Sequence, residues 1–162
     1  MGLRLAQLEL TLKDDGLRSA LNYLNSRVSY RFTTVYRLEN QRLKVVETVD
    51  KLNESSFFSS QENLLNDSLC RFPVLQGIFT SSHTAADPRL TKAVYPAEVG
   101  SYTGVRLMLD NGEVFGTLCH YDLEPRAISH TEYHFLELAG KTIARHLQRT
   151  MGSANAQTDK PH

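Results

Sequence analysis

The most reactive groups in this chain of 162 residues are two thiols, Cys70 and Cys119. They form no CxxC pair and no zinc-ligand spacing, and in a reducing cytosol the simplest reading is two buried thiols acting as small apolar groups. Cys119 and His120 are neighbours in what reads as a strand, so they point to opposite faces and do not pair as thiolate and imidazole. Cys119 and Cys70 are free to meet in space. His130, Thr131, Glu132, Tyr133 and His134 place two histidines at i and i+4 on one helical face. A zinc protease carries glutamate directly after the first histidine, where Thr131 stands, and no third ligand is near, so no metal site is expected. His83, Asp87, Arg89, Tyr95 and Tyr102 gather in or beside one irregular stretch. Loops on a rigid sheet commonly carry binding groups, and an arginine with an aromatic wall suits a planar or anionic ligand. With Cys70, these five are the candidate ligand-binding residues. The simpler alternative is that Asp87-Pro88 starts a turn, Arg89 pairs locally and the tyrosines fill core. No GxGxxG, P-loop or GxSxG motif occurs.

The elements that must position these groups are read from period and punctuation. Leu5, Leu8 and Leu12 fit a helical face and Leu8, Leu10 and Leu12 a strand; the good helix formers around them favour helix. Asp14-Asp15-Gly16 interrupts and offers a cap, and Leu17, Ala20, Leu21 and Leu24 then recur at helical spacing. Over 28–39 the period changes to two, with β-branched and aromatic residues, which predicts a strand. Glu39-Asn40-Gln41 supplies a turn to a second strand over 43–49. Residues 50–60 are polar around Phe57-Phe58. Leu65, Leu69 and Phe72 predict a helix over 61–72, ended by Pro73 and Gly77. A short strand over 78–80 and a loop over 81–96 follow, the loop holding one helical turn near 89–93. Strands over 101–109 and 114–121 flank Asp110-Asn111-Gly112, a strong hairpin signal. Gly104 and Gly116 inside them suggest a bulge or a close approach. Ser129 and Glu132 form a capping box for a last helix striped by Leu136, Ala139, Ile143 and Leu147. Residues 151–162 lack periodicity and are expected to be a disordered tail after one domain over 1–150.

Composition is near the globular average, with 41% hydrophobic and 22% charged residues, and one such domain buries an adequate core without metal or disulfide. Lys plus Arg and Asp plus Glu are both 18, so the electrostatic surplus of a nucleic-acid binder is missing. No apolar run suits a membrane span or a signal peptide, and a cytoplasmic location is expected. Antiparallel hairpins with helices at both ends give an α+β fold. The terminal helices are expected on one face of the sheet, with loops and the short helix on the other. The helix expected over 61–72 puts Cys70 near its C-terminal end. The partial negative charge there disfavours a thiolate, Arg71 offsets it little, and an unreactive Cys70 is expected.

The stretches 101–107 (SYTGVRL) and 116–122 (GTLCHYD) resemble the GAF domain family. So does the approach through Ala86, Asp87, Pro88, Arg89 and Leu90, and the proline-containing link Glu124-Pro125-Arg126 before a long last helix. The family often shows a DPR loop, then SY-x-GVPL, a DG turn and GTLC-x-x-D. The match in order runs from about residue 15 to 149. Two departures stand out: Arg106 takes the place of the family proline, and 80–83 (TSSH) has no acidic residue after the strand. The resemblance implies a module that senses a small molecule or binds a protein, in a pocket between the sheet and its overlying loops. Relatives bind cyclic nucleotides, bilins, haem or metabolites and regulate an effector. The signatures of cyclic-nucleotide and covalent bilin binding are missing here, so the ligand and any cofactor are left unnamed. The expected role is regulatory rather than catalytic, in a homodimer formed through surplus apolar residues of the end helices (Phe135, Leu138, Ile143, Leu147), acting on a separate effector protein. Two alternatives stand beside it: a free methionine-(R)-sulfoxide reductase working through Cys70, and a dimerisation module with no ligand.

Overall fold

The computed structural model describes residues 2–54 and 62–152. Phe57-Phe58 and the tail from 153 onward lie outside the described residues. The chain begins with helices α1 (Gly2–Asp15) and α2 (Leu17–Ser26). The helical reading of the first leucines holds: Leu8 and Leu12 are buried, while Leu3 and Leu10 face outward. Gly16, not an aspartate, occupies the N-cap of α2, and no side chain caps it.

Strands β1 (Phe32–Glu39) and β2 (Arg42–Asp50) form the first hairpin. Its two turn residues, Asn40 and Gln41, take φ of 52° and 63°, the left-handed pair that matches the twist of a tight hairpin. β1 starts later than the alternation suggests, because Tyr30 already turns into the core before the first ladder bond forms. A two-residue strand β3 (Asn63–Leu64) pairs with β2, and a 3-10 turn (Leu65–Asp67) follows.

The largest departure from expectation comes next. No helix spans 62–72; the helix is α3, Arg71–Gln76, with Cys70 as its N-cap. Pro73 does not end this helix but sits in its first turn, where backbone N–H groups have no intrahelical acceptor and a missing one costs little. Gly77 ends it, as expected. β4 (Ile78–Ser81) leads into two 3-10 turns, Thr84–Ala86 and Pro88–Leu90, where one turn was expected. β5 (Ser101–Met108) and β6 (Val114–Asp122) form the second hairpin, and α4 (His130–Leu147) closes the domain, running on into a π-helical turn, Gln148–Gly152.

The six strands form one antiparallel sheet in the order β3-β2-β1-β6-β5-β4. On one face α1, α2 and α4 bury Leu8, Leu21, Leu24, Val35, Leu107, Leu118, Leu136 and Ile143. On the other, α3 and the loops bury Phe32, Tyr36, Leu65, Leu69, Phe79, Tyr102 and Tyr121. This is the expected α+β layering. Gly116 marks a close approach: a Cβ there would enter the carbonyl of Tyr36, beside a register shift in β1. Ser129 caps α4 by accepting the Glu132 backbone N–H at 3.2 Å. The Glu132 carboxylate, rather than reaching back to the cap, accepts from Arg27 at 2.6 and 3.1 Å and ties α4 to the end of α2. Of the α4 residues expected to pair a dimer, Phe135, Ile143 and Leu147 are buried in this core and Leu138 is half-buried, and the exposed leucines of the end helices are those of α1.

Candidate functional site

Alternation along the central strands assembles the candidate site on the loop-covered face. Thr34 and Tyr36 of β1, Thr117, Cys119 and Tyr121 of β6, and Tyr102 of β5 sit at paired positions and point the same way. The chain from β3 into α3 covers them and brings Cys70 down onto the sheet. Cys70, Tyr36, Tyr102, Cys119 and Tyr121 wall a cavity of about 40 Å³, closed by Asn63, Ser68, Leu69, Pro96 and Val99. The cavity holds a molecule the size of a few waters.

Cys70 is the polar centre of this cavity. Tyr102 Oη donates to its Sγ at 3.2 Å and Thr117 Oγ1 at 3.3 Å, while the Cys70 backbone N–H donates to Ser68 Oγ at 3.1 Å. Gly104 makes the first contact possible: the Tyr102 ring lies back along its own strand over this residue, in the space that a Cβ would fill. Burial pushes the Cys70 thiol up. Hydrogen bonds from the Cys119 thiol and from Thr117, Tyr102 and Ser68 outweigh it and bring the thiol down to about 7. Burial and the neighbouring Cys70 hold the Cys119 thiol well above its ordinary value. Burial also keeps the Tyr36 and Tyr102 phenols protonated. The donors thus favour the thiolate of Cys70, while Cys119 stays a thiol on the same cavity. The expectation of an unreactive Cys70 rested on a helix C-terminus; Cys70 in fact precedes its helix, and the donors around it come from strands that no local pattern connects to it.

The six candidate binding residues do not form one site. Cys70 and Tyr102 line the cavity. His83, Asp87 and Arg89 line a separate groove of about 430 Å³ with Thr80, Ser81, Ser82, Ala86, Ala127 and Ile128. Tyr95 packs half-buried against the loop-side core and lines neither. In the groove Arg89 is engaged internally: it pairs with Asp87 at 2.6 Å, donates to the Thr80 carbonyl and lies over the Phe79 ring. The same guanidinium holds Asp87 far below the usual carboxylate range. Cys119, Thr117, Tyr36 and Tyr121 were missed as site residues. The period-two pattern of β6 puts Thr117, Cys119 and Tyr121 on one face, which was the available signal.

His120 points to the opposite face, as expected, where it is buried against Tyr30 and held by Thr33 Oγ1 at 2.7 Å. Burial, helped by Lys51, pushes it down to about 3, so it is neutral. Arg106, in the place of the family proline, donates to the Val74 carbonyl at 3.0 Å and fastens α3 to β5. Among the described residues no three potential ligands gather to hold a metal, and His134 faces Glu137 instead. No helix among the described residues is long and apolar enough to cross a membrane.

No family model and no curated protein matches this sequence. Solved structures do match. The GAF domain of an Acinetobacter phosphoenolpyruvate-protein phosphotransferase superposes with a TM-score of 0.76 at 18% identity, over 94% of this chain and 95% of that one. The type II free methionine-R-sulfoxide reductase of Thermoplasma acidophilum gives 0.63 at 19% identity, over 90% and 96%. The chromophore-binding domain of the R. palustris bacteriophytochrome RpBphP3 gives 0.73 at 11%, over 94% of this chain and 62% of that one. At these identities the likeness is one of fold, and that fold serves a domain of a phosphotransferase and a reductase alike. With its sheet order, its end helices on one face and its covered pocket on the other, the chain has the GAF fold.

Proposed function

We propose that this protein is a regulatory GAF module that senses a small molecule in the Cys70 cavity and signals to a separate partner from the cytoplasm. The observation that carries the reading is the cavity itself, a mostly apolar hollow inside the loop-side core, walled by three tyrosines and two sulfurs. A hollow of about 40 Å³ excludes a nucleotide or a bilin unless the covering chain moves, so the ligand is small. A screen of small metabolites by melting temperature tests this. A ligand at 100-fold its dissociation constant stabilises by about 2.7 kcal/mol, and Val99→Phe, which fills the cavity, should abolish the shift. A shift that survives Val99→Phe would place the ligand elsewhere. Homodimerisation belongs to the same proposal, with the outward Leu3 and Leu10 of α1 as its apolar surface. Light scattering at micromolar concentration should give twice the chain mass; a monomer would remove it.

A second reading, reduction of free methionine sulfoxide, is favoured by one observation: the two hydroxyls that donate to Cys70 Sγ and lower its thiol. It requires the covering loops to open for a substrate larger than the cavity. Thiol-dependent consumption of the sulfoxide, lost in Cys70→Ser, is the corresponding test.

A further inference from the structure

We infer that Cys70 and Cys119 form a dithiol that reduces small hydroperoxides, Cys70 taking the oxygen and Cys119 closing a disulfide onto it. The inference rests on the cavity being the working site, as proposed above, and names what enters it.

Three observations converge. Both cysteines are buried and line one cavity, and Thr117, which donates to Cys70 Sγ at 3.3 Å, stands two residues before Cys119 on the same face of β6. A disulfide therefore needs a local approach of two side chains that share this cavity. Two hydroxyls, from Tyr102 and Thr117, aim at the Cys70 sulfur, where they stabilise negative charge. The room left beside that sulfur suits a molecule of two to four heavy atoms, and the half-buried Asn63, Ser68 and Pro96 at its rim leave a short way in.

The chemistry balances. The Cys70 thiolate attacks the terminal oxygen of the hydroperoxide; an S–O bond forms, the O–O bond breaks, and sulfur loses two electrons to the peroxide. The departing hydroxide or alkoxide takes a proton from water, leaving Cys70 as sulfenic acid. The Cys119 sulfur then attacks Cys70; the S–S bond forms, the S–O bond breaks, and the departing hydroxide leaves as water with the Cys119 proton. An external dithiol reduces the disulfide by exchange and is itself oxidised. Cys119, pushed up by burial, stays a thiol and does not compete for the peroxide; in the second step it loses its proton to the hydroxide that leaves Cys70.

The test uses the reduced full chain with one equivalent of hydrogen peroxide at neutral pH. Both free thiols should disappear, peptide mapping should find Cys70 joined to Cys119 within one chain, and dithiothreitol should restore both. In Cys119→Ser the reaction should stop at a Cys70 sulfenic acid, read as the gain of one oxygen atom in the mass of the intact chain. Intact thiols, oxidation of Cys70 past the sulfenic stage without a disulfide, or a disulfide between chains would overturn the inference. The wild-type map decides by itself even where the serine variant fails to fold. The metabolite screen separates this from the reading above. A thermal shift with intact thiols keeps sensing and removes the dithiol, whereas a mapped disulfide without any metabolite shift does the reverse.

Discussion

Removing the Tyr102 hydroxyl probes the donor arrangement at its most specific point. Tyr102→Phe keeps the ring, its packing near Phe79 and its fit over Gly104, and deletes only the donor 3.2 Å from Cys70 Sγ. A hydrogen bond to a charged group contributes about 1.5–3 kcal/mol. One pKa unit corresponds to about 1.4 kcal/mol, so the thiol should rise by about one to two units. From about 7 it should move toward the ordinary thiol range. The assay is alkylation of Cys70 by iodoacetamide across pH, resolved from Cys119 by peptide mass spectrometry. The wild-type rate should level off above neutrality, and the variant should need a more alkaline medium for the same rate. Thr117→Val, which removes the second hydroxyl at 3.3 Å, should act in the same direction. An inflection unchanged in a folded Tyr102→Phe chain would refute the reasoning, since the thiol would then owe nothing to that donor.

The protein should lose stability in acid through His120. Its folded value of about 3 lies below the unfolded 6.5, so its contribution is complete above about pH 6.5 and is lost as pH falls toward 3. The unfolding free energy from denaturant melts over that range should drop by up to about 4 kcal/mol, and a flat profile would show that His120 is not neutralised by burial. Gly116→Ala drives a Cβ into the Tyr36 carbonyl and should cost about 2–4 kcal/mol, read by denaturant melting; a near-neutral change would mean that the β1–β6 pairing gives way easily. Glu132→Ala should cost about 1–3 kcal/mol, because it leaves Arg27, half-buried over the Phe135 ring, without its carboxylate. Arg27→Ala together with Glu132→Ala should cost less than the sum of the two.

Much of the architecture was legible along the chain. The alternation from Phe32, the turn at Asn40-Gln41, the flanks of the second hairpin and the Ser129 cap act within a few residues, so period and propensity find them. The order of these local elements, with the motifs at 101–107 and 116–122, was enough for the fold class and the GAF resemblance. The opposed faces of Cys119 and His120 followed from the same period of two. What failed locally was Leu65 to Pro73. Leucines at helical spacing there are buried by different parts of the loop-side core, and a proline that ends a helix in isolation opens one when it falls in a first turn. That single shift moved Cys70 from the end of a helix to the start of one. The site was decided by tertiary structure alone. Tyr102 and Thr117 reach Cys70 from two different strands, Gly104 clears the path for the phenol, and Cys119 faces Cys70 only because the cover of the sheet folds back over β6. Hydrogen bonds between residues 32 and 47 positions apart leave no periodic trace in a sequence, so the state of that sulfur is a property of the folded chain.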